Sequence, residues 1–196
     1  MKKALLLVCI LSISVITTAC INNLAVQELN NKAAVFMEKG NYAEAIERLK
    51  SSIDLDDTLF ESHYNLAIAY TKNGDYANAV NSYRNAIKLK PDFADAYYSL
   101  AVAEEDIITD IFAGHLEADE SGNVTPVKKE ENEEAAQAEF TPSETSKAYA
   151  DKLTDDAILN YETYLEKNPE AQDKSEVESR INDLKKHIVP AEKTAE

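Results

Sequence analysis

Apolar residues in the middle of the chain recur at the spacing of an α-helix. One run consists of His63, Leu66, Ala67 and Tyr70. Their i, i+3, i+4 and i+7 spacing places them on one face of a helix. A second run consists of Ala79, Tyr83, Ala86 and Ile87. Gly74 lies between the runs and predicts the end of the first helix, because glycine adopts the left-handed conformation at little cost. The pattern predicts two antiparallel helices whose alanines let them approach closely.

The same pattern occurs twice at a fixed distance. The segment GNYAEAI, which begins at Gly40, returns as GDYANAV at Gly74, 34 residues later. A repeat of this length indicates stacked units, each too small to bury its own apolar face. Stacked units form an extended surface that holds another chain. The sequence therefore favours binding over catalysis.

Residues 60–93 resemble one unit of the tetratricopeptide repeat (TPR) family. The family pattern is W-x2-L-G-x2-Y, then A-x3-F, then A and P. Its identical residues in this chain are Leu66, Tyr70, Ala79, Ala86 and Pro91. Ala67 and Tyr83 replace Gly and Phe with residues of related size, and His63 replaces Trp. The resemblance implies an all-α fold, a short TPR solenoid of antiparallel helix pairs.

The 34-residue register divides the chain into three units. They are expected at about 26–59, at 60–93, and at 94–106 together with 154–169. In the third unit, Glu104 stands where the TPR pattern has an aromatic residue. The pattern of the second helix returns only at Ala157, which is 44 residues after the expected position 113. An acidic insertion of 44 residues is therefore expected at about 107–153.

The middle of this insertion, from Glu117 to Phe140, is acidic and poor in apolar residues. This composition predicts a mobile surface loop, although a flap over the binding surface or a dock for a basic partner is the alternative. Glu117, Asp119 and Ser121 match the first ligand positions of a calcium-binding loop. Lys128 stands where the bidentate Glu belongs, so we expect a turn and no metal site.

Helical order is expected to resume at Thr141-Pro142-Ser143-Glu144, which matches a capping box with proline at the first helical position. This helix should extend to about Asn168. Its apolar face consists of Tyr149, Leu153, Ala157, Tyr161 and Tyr164. A last helix at about 171–188 resembles the capping helix that closes a TPR stack, and residues 190–196 should form a disordered tail.

The first nineteen residues match an export signal. Lys2 and Lys3 precede an apolar stretch, and the small residues 17–19 lead directly into Cys20. This arrangement resembles a bacterial lipobox, whose cysteine is lipidated and becomes the new N-terminus. The alternative is an ordinary signal peptide followed by a chance cysteine. Cys9 would leave with the signal, so the mature chain would keep no reactive thiol.

Lipidation of Cys20 would place the protein on a bacterial membrane. Only three residues separate Cys20 from a helical pattern at Leu24, a reach of about 14 Å at most, so the first unit should lie near the bilayer. Where two membranes are present, we expect the outer one, because Ile21 is not the Asp that signals inner-membrane retention. The formal net charge of −16 repels phosphates, which argues against a nucleic-acid partner.

The sequence predicts no enzyme, metal or cofactor. His63, His115 and His187 are far apart, and none has the spacing of a metal site. The four glycines form no phosphate-binding loop. No nucleophile lies within a catalytic motif, so the abundant carboxylates are interpreted as solvated helix faces.

The resemblance also predicts a binding groove, because the first helix of each TPR unit lines the concave side. Its expected residues are Asn31, Tyr64, Asn65, Ile68, Tyr98 and Ser99. The asparagines would hydrogen-bond a peptide backbone, and the tyrosines would offer flat contact area. The alternative is that asparagine at this position is only structural.

The predicted partner is an envelope protein or peptide that is neutral or basic. TPR domains that clamp a C-terminal carboxylate use two Asn and three basic residues, but Gln27, Asp95 and Ser99 stand in the basic places here. An acidic peptide would therefore meet repulsion. The leading hypothesis is a lipid-anchored interaction module, a scaffold or adaptor. The alternative, a ligand-binding accessory of an envelope transport system, would need an enclosed apolar pocket.

Overall fold

The computed structural model describes residues 23–127 and 140–188. The predicted export signal, Cys20, Lys128 and the predicted tail at 190–196 lie outside them. The helices are α1 (23–38), α2 (Tyr42–Leu55), α3 (Phe60–Lys72), α4 (Tyr76–Leu89), α5 (Ala94–Phe112), α6 (Glu144–Lys167) and α7 (Lys174–Ile188). The strands β1 (Leu116–Ala118) and β2 (Val124–Pro126) form one sheet. Within these described ranges, no helix combines the length and apolarity needed to cross a membrane.

Glycine ends the first helix of each of the first two units. Gly40 and Gly74 have φ angles of 74° and 77°, which glycine adopts without strain. After Gly74, the amide of Asp75 donates to the carbonyl of Tyr70 at 2.9 Å. The Asp75 carboxylate then accepts from the amide of Asn78 at 3.3 Å and caps the start of α4. The repeated turn segment thus separates two antiparallel helices.

Helices that follow one another in the chain pack against each other from α2 to α7. Small side chains line these contacts because they let the helix backbones approach closely. The fully buried alanines include Ala45, Ala67, Ala79, Ala86 and Ala101. The predicted all-α solenoid of helix pairs is confirmed.

The apolar core consists of two clusters. The smaller cluster joins α1, α2 and α3 and includes Leu49 and Leu66. The larger cluster extends from α3 to α7 and includes Ile107 and Tyr161. Tyr70 packs against both clusters, so the core continues through the stack of units.

The third unit has longer helices than the two units before it. α5 has 19 residues and α6 has 24, whereas α3 has 13. The extra turns occupy both ends of the stretch expected as an insertion. They belong to the core, because Ile107, Ile111 and Leu153 are buried.

The prediction of a mobile loop from Glu117 to Phe140 is wrong for residues 117–126. β1 and β2 pair in antiparallel register, with Leu116 opposite Pro126 and Ala118 opposite Val124. Composition misled the prediction because a short hairpin buries only one face and needs few apolar residues.

Polar contacts fix the turn end of this hairpin. The amide of Ala118 donates to Ser146 Oγ on α6 at 3.0 Å. At the turn, the Asp119 carboxylate accepts from the amides of Ser121 and Asn123, each at 2.9 Å. The Asp119 carboxylate thus stabilises a turn, which is the structure that the sequence favoured here over a calcium site.

The predicted start of α6 needs a correction. Ser143, not Thr141, is the N-cap residue, and its hydroxyl accepts from the amide of Ser146 at 3.2 Å. Ser146 is the third residue of the helix, which is the residue that an N-cap hydroxyl reaches. Pro142 therefore precedes the helix instead of opening it. α6 ends at Lys167, one residue before the expected position.

The last helix packs against the larger cluster. Val177, Ile181 and Leu184 of α7 are buried there. The Tyr164 hydroxyl of α6 donates to Asp173 Oδ1 at 2.8 Å, which fixes the turn that leads into α7. The position of α7 beside the third helix pair is that of a capping helix.

Candidate functional site

Three helices, α1, α3 and α5, lie side by side and form one row. Asn30 Nδ2 of α1 donates to Ser62 Oγ of α3 at 3.0 Å. The hydroxyls of Tyr64 on α3 and Ser99 on α5 lie 3.1 Å apart. Asn30 and Tyr64 occupy equivalent positions in the 34-residue register. The same position therefore links each first helix to the next one.

At the next position of the 34-residue register, the side-chain amides of Asn31 and Asn65 remain available for hydrogen bonding. Asn31 is exposed and Asn65 is half-buried. Within residues 23–127 and 140–188, neither side chain makes a hydrogen bond to another residue. Each amide can donate two hydrogen bonds and accept two. Both residues can therefore pair with the backbone of a bound peptide, whereas Ser99 is already paired with Tyr64.

Tyr64 is more deeply packed than predicted. Its ring centroid lies 4.9 Å from that of Phe93 and 5.7 Å from that of Tyr83. Burial raises the pKa of the Tyr64 phenol above its ordinary value. The Tyr64 ring therefore fills the space between α3 and the next helices. Its role in a groove stays a prediction.

Tyr98 and Ile68 are also partly committed to packing. The Tyr98 ring lies 5.2 Å from the Tyr164 ring and 5.8 Å from the Tyr161 ring, both on α6. Ile68 is half-buried against the larger cluster. Only the outer edges of these side chains can contact a partner, and their place in a groove stays a prediction.

Comparison with known proteins identifies the repeating unit. Residues 33–74 and 68–105 match the family model described as TPR repeat. These residues are TPR repeats. No curated protein sequence matches the chain.

Solved TPR structures share the fold. The first TPR domain of human RPAP3 is 17% identical, covers 84% of this chain and 94% of its own, and has a TM-score of 0.56. The second TPR domain of human RPAP3, in complex with the HSP70 peptide SGPTIEEVD, is 17% identical and has a TM-score of 0.54. The match covers 82% of this chain and 98% of that domain. The Arabidopsis OM64 TPR domain is 12% identical, with coverages of 83% and 98% and a TM-score of 0.57.

The third TPR unit contains a buried carboxylate that the sequence pattern did not assign to a site. Glu104 has no solvent exposure. Its oxygens accept from Arg84 Nη2 at 3.2 Å and from Asn160 Nδ2 at 2.8 Å. Burial raises the pKa of Glu104 to about 7 despite these two donors. The signal in the sequence was the replacement of the aromatic residue of the TPR pattern by Glu104.

A second polar network joins the capping helix to the third unit. Glu105 of α5 accepts from Arg180 Nη1 at 2.9 Å and from the Tyr161 hydroxyl. Arg180 Nη2 also donates to Glu176 at 3.2 Å. Burial, with the nearby Glu105 carboxylate, raises the pKa of the Tyr161 phenol. The network holds α7 against α5 and α6.

The histidines have structural contacts where they are described. His63 Nε2 lies 3.0 Å from the carbonyl of Asp57. His115 Nδ1 lies 3.1 Å from Asp110 Oδ1. The side chain of His187 is not among those that the structure describes. Among the described residues, no three potential metal ligands cluster together.

Proposed function

We propose that this chain is a lipid-anchored TPR interaction module of the bacterial cell envelope. A partner polypeptide binds along the row formed by α1, α3 and α5. The observation that carries the proposal is the pair of Asn31 and Asn65, which share a register position and make no hydrogen bond within the described residues. Two such amides on adjacent first helices suit the regular backbone of an extended peptide.

The partner is a neutral or basic polypeptide. The HSP70 peptide in the RPAP3 complex ends in the acidic sequence EEVD. In this chain, Asp95 and Ser99 stand at positions where a carboxylate-clamping TPR domain needs basic residues. With a net charge of −16, the protein would repel an acidic tail and attract a basic segment.

The anchor is a lipid on Cys20. In the sequence, only three residues separate Cys20 from the helical pattern that begins at Leu24. This short connection keeps the first TPR unit close to the membrane and limits how far the module extends. Export followed by lipidation places it in the envelope, on the outer membrane where there are two.

A ligand-binding accessory protein is the weaker candidate. Small-molecule sites bury most of their ligand in a cleft or cavity. The described cavities with volumes of about 400–520 Å³ are clefts on the protein surface. A row of helices with accessible amides supports a polypeptide partner more directly. No catalytic role is proposed.

Site-specific photocrosslinking tests the groove. A photoreactive amino acid at position 65 should crosslink a defined partner in cells. The same amino acid at Asn81, exposed on α4, should not, because α4 lies outside the row. Asn31→Ala with Asn65→Ala should then weaken capture of that partner, whereas Asn81→Ala with Asn85→Ala should not. Equal crosslinking from positions 65 and 81 would argue against the groove.

Metabolic labelling tests the anchor. A clickable fatty acid should label the wild-type protein and leave Cys20→Ser unlabelled. The variant should also leave the membrane fraction after extraction with carbonate. Equal labelling of both proteins would exclude Cys20 as the lipidation site without affecting the groove proposal.

A further inference from the structure

Each first helix has three register positions that face the unit before it. In the second and third units these positions are buried. They are Ser62, Leu66 and Ala69 on α3 and Ala96, Leu100 and Ala103 on α5. The second helix of the preceding unit covers them, because α2 packs against α3 and α4 packs against α5.

The same three positions are exposed on α1. They are Glu28, Lys32 and Val35, and within the described residues, which begin at 23, no helix precedes α1. A cleft of about 520 Å³ opens over these residues, and Lys39 of α1 and Arg48 of α2 also line it. We call these five residues the open edge of the stack.

Two cations of the open edge have no carboxylate partner. Across residues 23–127 and 140–188, neither Lys39 nor Arg48 forms an ion pair. The Lys32 ammonium lies 2.7 Å from Glu28, so the charges of this pair cancel. The open edge therefore keeps a positive charge from Lys39 and Arg48, and this charge is available to an anionic surface.

Acidic charge is concentrated in the rest of the chain. Residues 23–55, which contain α1 and α2, carry four basic and five acidic side chains, whereas residues 56–196 carry 14 and 31. The carboxylates beside the two unpaired cations in the sequence, Glu38, Glu44 and Glu47, do not line the cleft. Salt screens exposed charges beyond about 8 Å under physiological conditions. A surface against the open edge therefore meets its cations first and the distant carboxylates only weakly.

Exposed apolar side chains accompany these cations. Leu24 and Val35 are 68% and 46% exposed. They are 11 residues apart, about three helical turns, so they lie on one side of α1, and Lys39 follows four residues later on the same side. Lysine and arginine lay their alkyl stems on apolar surface and keep their charge in water. This combination suits the boundary between the headgroups and acyl chains of a bilayer.

We propose that the open edge lies against the membrane that holds the lipid anchor, with Lys39 and Arg48 paired to the phosphates of anionic phospholipids. This inference rests on the proposed function, since the lipid on Cys20 brings the edge to the bilayer. Anionic lipids attract Lys and Arg residues that lie close to the membrane surface. The contact adds a second, electrostatic attachment to the lipid.

The contact also sets the orientation of the module. Lys39 lies about 24 Å along α1 from its start, whereas the connection from Cys20 reaches about 14 Å at most. Both ends of α1 therefore meet the bilayer only when α1 lies along it. α3 and α5 then stand progressively farther from the membrane. Asn31 also lines the cleft, so a partner bound along the row would begin beside the bilayer.

Charge and reach decide between the membrane and two other occupants. A second copy packed by twofold symmetry would place Lys39 and Arg48 against their own counterparts. The acidic stretch at 130–139 is joined to the chain beside the third unit, because the amide of Val127 bonds to the carbonyl of His115 at 2.9 Å. The anionic lipid surface has the opposite charge, and the anchor brings it to the edge.

Tryptophan fluorescence tests the proposal, because the chain has no tryptophan of its own. Val35→Trp places a probe on the open edge. Leu159→Trp places a matched probe on α6, at a side chain that is 61% exposed. The chain from Cys20 onward, whose one thiol is Cys20, is coupled to a maleimide phospholipid in vesicles of phosphatidylcholine and phosphatidylglycerol. Brominated phosphatidylcholine should quench the probe at 35 severalfold more than the probe at 159. Equal quenching would overturn the proposal.

Charge reversal tests the role of the two cations. In the Val35→Trp chain, Lys39→Glu with Arg48→Glu should lower the quenching to the level of the probe at 159. Vesicles without phosphatidylglycerol should have the same effect. Lys88→Glu with Lys147→Glu makes the same change of charge at exposed residues of α4 and α6 and should leave the quenching unchanged. Circular dichroism checks that the variants fold, and glutamine at positions 39 and 48 provides a milder pair. Quenching that neither charge nor lipid composition alters would overturn the proposal.

Coupling through the thiol separates this inference from the proposed function. If cells do not lipidate Cys20, the proposed anchor fails, while selective quenching of the coupled chain still supports contact between the edge and anionic lipid. If cells lipidate Cys20 but the two probes are quenched equally, the anchor stands and the edge contact is wrong. Without vesicles, a blue shift of the probe at 35 that grows with protein concentration would identify a second copy as the occupant. A blue shift independent of concentration would identify a segment of the same chain, and either result would overturn the proposal.

Discussion

The first two TPR units and the third unit hold their helices together in different ways. In the first two, fully buried alanines such as Ala45 and Ala79 let neighbouring helices touch. In the third, the carboxylate of Glu104 lies buried between Arg84 of α4 and Asn160 of α6. The first two also bury the hydroxyls of Ser52 and Ser62, which accept from Asn30, whereas the third buries a carboxylate.

The difference follows from the split in the third unit. Its two helices are separated by the hairpin and by residues 128–139, so a short turn does not align them as Gly74 aligns α3 and α4. Apolar contacts tolerate small shifts of one helix along another. A buried carboxylate is satisfied in few arrangements, so a network around Glu104 specifies how α4, α5 and α6 meet.

The largest expected effect comes from removing a buried side chain in the extension of α5. Ile111 has no solvent exposure and lies in the larger cluster. Ile111→Ala should lower the free energy of unfolding by about 3 kcal/mol through lost burial and a cavity. Urea denaturation followed by circular dichroism measures this change. Leu89→Ala, at an exposed helix end, should cost within about 0.5 kcal/mol. Equal losses would place the extension outside the core.

The buried carboxylate should make stability depend on pH. The pKa of Glu104 rises from an ordinary value of 4.5 to about 7 in the folded protein because the side chain is buried. Between these values the folded state keeps a proton that the unfolded state has lost, so stability falls as pH rises. The fall from pH 4.5 to 7 should amount to at most about 3 kcal/mol.

Glu104→Gln isolates this effect. The amide carries no titrating proton and still accepts from Arg84. The difference between wild type and variant, measured by urea unfolding at several pH values, should change across the interval from 4.5 to 7. Above it, the variant should be at least as stable as the wild type. Parallel stability curves would show that Glu104 does not titrate in this range.

The helix pairs could be predicted because their signals are local. The turn glycines Gly40 and Gly74 and the spacing of Leu66 and Tyr70 reflect contacts within one unit. The hairpin and the extension of α5 could not, because they depend on distant partners. Ala118 is buried only because α6 supplies Ser146 to its amide, and no local pattern encodes that contact.

The candidate site was predictable only in part, for a similar reason. The register identified Asn31 and Asn65, whose side chains make no hydrogen bond within the described residues. It could not show that Tyr64 contacts Phe93 across the unit boundary. It also could not show that Glu105 of the extended α5 pairs with Arg180 of α7.

Glycine substitutions compare the turns of the two regions. Gly40 has a φ of +74° with open space around it, so Gly40→Ala should cost about 1 kcal/mol from backbone strain alone. Gly122 has a φ of +77°, and an added Cβ would lie 2.8 Å from Tyr149 Cε2. Gly122→Ala should therefore cost about 2 kcal/mol, since the ring must also shift. Thermal unfolding of both variants would reveal the difference. Equal costs would mean that the hairpin tip does not press on α6.

The smallest expected effect concerns the hydroxyl that joins the second unit to the third. Tyr64 and Ser99 are linked by their hydroxyls at 3.1 Å, so Tyr64→Phe should lower the free energy of unfolding by about 1 kcal/mol. Tyr42 lies in the first turn segment, and its hydroxyl makes no hydrogen bond within residues 23–127 and 140–188. Tyr42→Phe should therefore leave stability unchanged in the same urea titration. If the two variants behave alike, the row of first helices is held by ring packing at Tyr64 and not by its hydrogen bond to α5.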